Sequence, residues 1–235
     1  MINKMIVINA RFLTQRITGV QRFAYELSLC LKKKLGDKAV FLAPRNILQK
    51  EMAERLGVKS IGRMTGYAWE QIELPLYLKR HGSPTLLNLG NLAPLTYRNN
   101  WVTVHDITWA HFPETYCKVF CKVYDFLIPR LCRRAKQIIT VSEFSKGEIS
   151  SYYGIPPKKL LVVYNAVNEE FHSVIDLGLR EQRYFLAVSS LKANKNFITV
   201  LEAFEKVLSM EPEVKLYIIG DCVDRKYQTI DLGKY

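Results

Sequence analysis

Short apolar runs recur along the chain, and segments with apolar residues at helical spacing separate most of them. The runs predict buried strands at Lys4–Ala10, Ala39–Ala43, Thr85–Leu89, Trp101–His105, Ile138–Val141 and Leu160–Tyr164. Helical spacing predicts helices at Gly19–Leu35, Ile47–Leu56, Trp69–Arg80, Tyr116–Ala135 and Glu143–Tyr153. Strands that alternate with helices are typical of a mostly parallel sheet with helices on both faces.

A polar segment without a clear period, Asn168–Arg183, interrupts this alternation. A second strand-helix-strand pattern follows it at Tyr184–Val188, Phe197–Leu208 and Val214–Ile219. We therefore predict an α/β protein with a Rossmann-like domain over 1–170, a linker over 171–183 and a second Rossmann-like domain over 184–235. A doubly wound domain usually needs about 100 residues or more, so the second domain is expected to be incomplete.

Composition excludes several classes of protein. The 235 residues are 49% hydrophobic, which is enough for a core and excludes global disorder. No apolar run reaches the roughly 18 residues of a membrane span, and the first ten residues are too polar for a signal peptide. Five cysteines form no C-x-x-C pair. These features predict a protein of the reducing cytoplasm.

The net charge of +12 is unevenly distributed. Residues 1–175 carry 25 basic and 13 acidic side chains, whereas residues 176–235 carry nine of each. An anionic membrane surface, a nucleic acid and a phosphorylated substrate are all candidate partners. The predicted helix over Tyr116–Ala135 has a basic side, which is either solvated or in peripheral contact with anionic lipid. Nucleic acid is the less favoured partner, because no helix-turn-helix, RNP or zinc pattern is present.

Four strand-to-helix junctions carry residues that suit chemistry. Gly19 opens a helix and is either a plain turn glycine or part of an anion site, which Arg11, Arg16 and Arg22 flank. His105 and Asp106 end a strand, where ligands collect in open α/β sheets, although a histidine bonded to backbone is the alternative. Ser142 best fits a helix N-cap.

Lys195 opens the helix of the second strand-helix-strand unit, where it is either an exposed loop lysine or a partner for a diphosphate. The four histidines show no metal-ligand spacing, so no metal site is expected.

Several of these segments, in this order, resemble the family 4 glycosyltransferases. The segments are Thr18-Gly19-Val20-Gln21-Arg22-Phe23; Val104-His105-Asp106-Ile107 with Phe112-Pro113-Glu114; Ile139-Thr140-Val141-Ser142-Glu143-Phe144-Ser145; Val163-Tyr164-Asn165-Ala166-Val167; and Ser189-Ser190-Leu191 followed by Lys195-Asn196. The resemblance covers about residues 4–220. It implies the GT-B fold, in which two Rossmann-like domains flank a cleft, and a reaction that uses a nucleotide-sugar as co-substrate without a metal or other cofactor.

By matching position, the resemblance implies a role for each candidate residue. Gly19 and Lys195 would contact the donor phosphates, and His105, with Asp106, would lie beside the reacting sugar. Arg16 and Ser142 are candidates on the acceptor side. The reaction implied is hexosyl transfer, with retention, to a glycan or lipid-linked acceptor in surface polysaccharide or lipopolysaccharide assembly.

Two departures from the family pattern shape the expectation for this chain. Many members have Gly-Arg where Ser189-Ser190 stands, and the family's E-x7-E segment has no match beyond Glu213. We therefore expect a chain truncated within the donor domain, with little or no transferase activity alone. The alternative function is a non-catalytic module that binds an anionic glycan or a partner chain.

Overall fold

A computed structural model describes residues 5–168, 171, 183–191 and 195–220. The chain forms two compact units. The first comprises Met1–Ile107 with Asp125–Asn168, and the second comprises Thr108–Tyr124 with Glu169–Tyr235, each over its described residues. Most of the predicted linker, 171–183, lies outside the described residues, so the predicted domain boundaries stay a prediction.

The first unit is built on a seven-stranded parallel sheet. Its strands are β1 (Ile6–Asn9), β2 (Ala39–Ala43), β3 (Lys59–Ser60), β4 (Thr85–Asn88), β5 (Asn100–Thr103), β6 (Gln137–Thr140) and β7 (Leu160–Val162). They lie side by side in the order β3-β2-β1-β4-β5-β6-β7, and every neighbouring pair is parallel. The order reverses between β1 and β4, which makes this position a topological switch point.

Helices connect these strands. They are α1 (Gly19–Leu35), α2 (Lys50–Leu56), α3 (Gly66–Ala68), α4 (Leu74–Arg80), α5 (Thr108–His111), α6 (Lys118–Arg134) and α7 (Glu143–Tyr153). A π-helical turn, Trp69–Glu73, joins α3 to α4, and a 3-10 turn, Arg11–Thr14, follows β1. None of the described helices combines the length and apolar character needed to cross a bilayer.

The sheet buries apolar side chains on both faces. Ile8 packs in a cluster with residues of α1 and α2, namely Ala24, Tyr25, Ala53 and Leu56. Its neighbour Val7 packs in a separate cluster with residues of the π-helical turn and α4, namely Trp69, Leu74 and Leu78. Since successive side chains of a strand point to opposite faces, the two clusters lie on opposite sides of the sheet. The prediction of a parallel sheet covered on both faces is therefore confirmed.

Several predicted boundaries differ from the structure by one to three residues. The strand predicted over Trp101–His105 ends at Thr103. The backbone N–H of His105 donates to the Asn91 side chain (3.0 Å), so the chain has left the strand ladder there. The helix predicted from Ile47 begins at Lys50, and that predicted from Trp69 begins at Gly66.

The second unit contains a two-stranded parallel sheet. Strand β8 (Tyr184–Val188) pairs along its whole length with β9 (Lys215–Ile219), and α8 (Phe197–Met210) connects them. This confirms the strand-helix-strand pattern predicted for this part of the chain. The unit also contains α5 and the start of α6, where the Trp109 ring packs edge-on against Tyr124 with 5.0 Å between ring centroids.

Candidate active site

Gly19 occupies the first position of α1, at the carboxyl edge of the first unit's sheet. The preceding Thr18 has extended backbone and caps the helix, and its N–H donates to Oε1 of Gln21 at 3.2 Å. Gly19 is exposed, and a Cβ atom built on it would meet no other atom within 4 Å. The fold therefore does not require glycine here. Its absent side chain instead leaves open the surface beside a helix N-terminus, where free N–H groups attract anions.

His105 lies in the turn that follows β5, at the same edge of the sheet. The residue is buried, with 8% of its surface exposed. Its ring Nε2 lies 3.1 Å from the carbonyl oxygen of Leu89. Because a carbonyl can only accept a hydrogen bond, Nε2 carries the proton, and the lone pair of the neutral ring is on Nδ1.

The surroundings of His105 favour this neutral form. Burial is the largest effect and lowers the pKa of the imidazole below its usual 6.5, while the hydrogen bond to Leu89 and the charge of Asp106 oppose it. The imidazole is therefore uncharged at neutral pH. A neutral ring with a lone pair on Nδ1 can accept a hydrogen bond from a substrate hydroxyl or take up a proton.

Phe23 links α1 to His105. The two rings are in edge-to-face contact, with centroids 4.9 Å apart and planes at 84°. Phe23 follows Gly19 by four residues, so the two lie on the same face of α1 one turn apart. The contact therefore brings the first turn of α1 beside the imidazole.

Ser142 caps α7, as its place in the sequence predicts. Its Oγ accepts a hydrogen bond from the backbone N–H of Ser145 at 3.0 Å. It follows β6, the strand next to β5, and the Thr140 hydroxyl at the end of β6 donates to the backbone oxygen of His105 at 3.4 Å. The carboxyl ends of β5 and β6 thus bring Ser142 to the same edge as His105. Its acceptor-side role stays a prediction.

The remaining predicted residues are exposed. Arg16 lies between the 3-10 turn and α1, and Asp106 follows His105. Lys195 lies just before α8 in the second unit, whereas Gly19, Arg16, His105, Asp106 and Ser142 all belong to the first. Over 5–168, 171, 183–191 and 195–220, no group of three or more His, Cys, Asp and Glu side chains could hold a metal ion.

A buried polar network at the switch point was not predicted from the sequence. Asn9 ends β1, and its Nδ2 donates to Oε1 of Glu70 (2.8 Å) and to Oδ1 of Asn88 (3.1 Å), which ends β4. Arg11 donates from Nε to the same Glu70 oxygen (3.0 Å) and from its backbone N–H to Oδ1 of Asn9 (3.1 Å). The guanidinium carbon also lies 4.9 Å from the centre of the Tyr67 ring. One sequence signal was available, because each of the two asparagines ends an apolar run.

Comparison with known proteins identifies the relatives of this chain. The sequence profile of Glycosyltransferase Family 4 matches residues 17–171. The O-antigen chain mannosyltransferase RfbU of Salmonella typhimurium is 35% identical over 100 residues, which cover 42% of this chain. The matched region spans only 27% of the length of that relative.

Two solved structures share the fold. Anabaena HepE, crystallised in complex with UDP, is 14% identical with a TM-score of 0.54, and the match covers 92% of this chain and 69% of that one. A glycosyltransferase from Rickettsia africae is 12% identical with a TM-score of 0.54, and the match covers 95% of this chain and 69% of that one. The expected α/β fold of GT-B type is confirmed.

Proposed function

The chain belongs to glycosyltransferase family 4, and from this premise we propose that the protein transfers a hexosyl group from a nucleotide-sugar to a glycan or lipid-linked acceptor. The observation that carries the proposal is the family match over residues 17–171, which contains the Gly19 and His105 edge of the sheet. The O-antigen mannosyltransferase and the structure holding UDP support a nucleotide-sugar donor and a role in surface polysaccharide assembly.

His105 is the proposed catalytic residue that lies against the reacting sugar, with Asp106 beside it. Its imidazole is fixed by the Leu89 carbonyl and kept neutral by burial. A fixed polar group needs no reorganisation as charge develops, which is the general source of electrostatic stabilisation of a transition state. Transfer with retention of the anomeric configuration is part of the proposal.

Phosphate groups of the donor are the proposed ligands of Gly19 and Lys195. Gly19 offers the unobstructed N-terminus of α1, and Lys195 offers a cation for the leaving diphosphate. Arg16 and Ser142 are proposed on the acceptor side. The nucleotide-sugar is a co-substrate, and we propose no bound metal or other cofactor.

A gene deletion in the source organism tests the proposed function. Gel analysis of the surface polysaccharide should show shortened or missing chains, and the wild-type gene should restore them. The H105A variant should fail to restore them, because losing a group that moves or stabilises a proton costs about 100-fold or more in rate. The matched control is R80M, which alters an exposed arginine at the C-terminal end of α4. Unchanged polysaccharide in the deletion strain would refute the proposal, and full restoration by H105A would favour the non-catalytic binding module.

Cytoplasmic location with peripheral contact to anionic membrane completes the proposal. Helix α6 buries Tyr124, Ile128 and Leu131 as its periodicity predicts. Its exposed residues include Val119 and Phe126, interleaved with basic side chains at Lys118, Lys122, Arg130, Arg133 and Arg134. Apolar side chains among cations suit the interface of an anionic bilayer. The protein should co-sediment with vesicles containing phosphatidylglycerol and not with phosphatidylcholine alone, and equal recovery with both would contradict the contact.

A further inference from the structure

The buried network joins the two strands at the switch point of the first unit's sheet. Asn9 and Asn88 are register partners at the ends of β1 and β4, and their side chains are hydrogen-bonded to each other. Ligands of open α/β sheets bind in the crevice outside the carboxyl ends of the strands at such a point. The network thus lies where this fold offers a ligand site.

Of the two charged residues in the network, Arg11 is the one that reaches the surface. The Glu70 side chain is 1% exposed, whereas that of Arg11 is 14% exposed. Within the described residues, Oε2 of Glu70 has no hydrogen-bond partner, so its buried carboxylate depends on the bonds to Oε1. A buried ion pair adds little net stability, because desolvation offsets the attraction between the charges. Its clear structural effect is to hold the Arg11 guanidinium in place. The Nε of this group is bonded to Glu70, and its carbon lies 4.9 Å from the centre of the Tyr67 ring.

Two more arginines follow the strands on the same side of the switch point. Arg45 comes two residues after β2, and Arg63 comes three residues after β3. Both are exposed. Because β3, β2 and β1 are parallel neighbours, the three arginines lie along one half of the carboxyl edge.

Among the described residues, neither the Arg45 guanidinium nor that of Arg63 forms an ion pair with an acidic side chain. Both carboxylate oxygens of Glu73 accept the backbone N–H of Arg63, and Oε2 also accepts that of Met64 at 2.8 Å. Glu51 lies in the first turn of α2 and follows the cationic Lys50. Arginine binds phosphate through paired, planar hydrogen bonds, and a fixed guanidinium forms them at a lower entropic cost.

We propose that this half of the carboxyl edge binds the phosphate groups of a phosphorylated acceptor, with Arg11 as the specificity-determining residue and Glu70 as its positioning residue. The inference rests on the proposed transfer reaction and narrows its acceptor to a phosphate-bearing molecule. Either a lipid diphosphate or a soluble sugar phosphate supplies that chemistry.

Isothermal titration of the 235-residue protein with inorganic pyrophosphate tests the site without requiring turnover. R11Q should weaken binding about 10- to 100-fold, the range expected for losing a hydrogen bond between charged groups. E70Q keeps the Arg11 cation but removes the carboxylate charge that holds it in place. It should therefore weaken pyrophosphate binding less than R11Q does, and E70D should bind more tightly than E70Q. R80Q, which removes an exposed arginine from α4, should bind as the wild type does.

The source of the phosphate follows from two further probes. Farnesyl diphosphate binding more tightly than both pyrophosphate and glucose 1-phosphate identifies a lipid-linked acceptor. Glucose 1-phosphate binding at least as tightly as farnesyl diphosphate identifies a soluble sugar phosphate. In either case R11Q should weaken the preferred probe by a similar factor.

Two results would overturn the inference. One is unchanged pyrophosphate affinity in R11Q, and a loss in K195Q would then place the pyrophosphate at the donor site. The other is a loss in R80Q equal to that in R11Q, which would indicate non-specific attraction. If R11Q fails to fold, the double variant R45Q/R63Q, which alters two exposed arginines, is titrated instead. Unchanged pyrophosphate affinity in that variant would also refute the site. The titration measures binding and no transfer step. A negative titration would therefore refute the phosphate site without refuting the proposed transferase function, which the gene deletion tests.

Discussion

The Arg11–Glu70 pair makes an asymmetric prediction about stability. Glu70 is almost completely buried and Arg11 keeps part of its side chain in water. R11M leaves the buried carboxylate with the Asn9 amide as its hydrogen-bond donor among the described contacts. E70M leaves a cation that already reaches solvent. Removing the arginine should therefore destabilise the protein more than removing the glutamate.

The magnitudes follow from what each variant leaves behind. Removing one partner of a buried pair costs about 3–5 kcal/mol when the other charge stays buried, which is the expected effect of R11M. E70M removes the acceptor of two hydrogen bonds, but Asn9 keeps Asn88 and Arg11 can be hydrated, so about 1–3 kcal/mol is expected. The double variant R11M/E70M carries no uncompensated charge. It should be more stable than R11M alone.

Urea unfolding followed by tryptophan fluorescence measures these free energies, since Trp69 and Trp101 both lie in the first unit. The matched control is Arg22–Glu26, a more solvent-accessible pair of the same residue types on α1, with side chains 54% and 33% exposed and 3.5 Å between charged atoms. Its coupling energy in the same double-mutant cycle should be about 0.5 kcal/mol or less. Equal losses of unfolding free energy in E70M and R11M would contradict this prediction, as would additive losses in the double variant.

Four further outcomes follow from the structure. Because the pKa of His105 is lowered in the folded state, the unfolded state binds more protons than the folded state below about pH 6.5. Stability should therefore fall as the pH drops below that value. In a plot of melting temperature against pH, H105N should flatten this part of the curve. S142A should cost about 1 kcal/mol in urea unfolding by removing the N-cap acceptor of α7, and S142D should retain most of it; equal losses would contradict the capping role. G19A should leave stability unchanged or raise it by about 0.4–1 kcal/mol while weakening donor binding in a titration, and a destabilised variant would show that the fold needs the glycine. Burial raises the pKa of the Cys132 thiol to about 12, so iodoacetamide at pH 8 should modify the exposed Cys117 long before Cys132, as mass spectrometry of peptides would show; labelling at equal rates would refute the assigned burial.

Hydrophobic periodicity predicted elements whose packing is regular. The bounds of α1, β2 and α7 agree with the sequence analysis. Helix α1 has apolar residues at helical spacing, β2 is a short apolar run, and α7 lies between the Ser142 N-cap and Gly154. The short strand Lys59–Ser60 was missed because both residues are exposed and no apolar run marks them. The start of the helix at Gly66 was missed because a π-helical turn, Trp69–Glu73, breaks the 3.6-residue period.

Some residues of the candidate site could likewise be predicted from the sequence and others could not. His105 and Ser142 could be placed from sequence, because each follows an apolar strand and parallel strands share one carboxyl edge. The Arg11–Glu70 pair could not, because its partners are 59 residues apart. Its geometry also depends on the register that places Asn9 opposite Asn88. Strands buried on both faces read as continuous apolar runs, and such runs do not show which residues of two strands lie opposite each other.

The segment at the end of β4 contacts both the His105 side and the Asn9 side of the carboxyl edge. Asn88 holds the Asn9 side chain of the buried network, the next residue, Leu89, accepts the hydrogen bond of the His105 ring, and Asn91 accepts the backbone N–H of His105. Three residues within the four-residue segment 88–91 thus set the position of the imidazole and anchor the network that fixes Arg11. A shift of this short segment would move both groups together. The catalytic and phosphate-binding roles proposed for the two residues therefore share one structural support, although the residues themselves follow different strands.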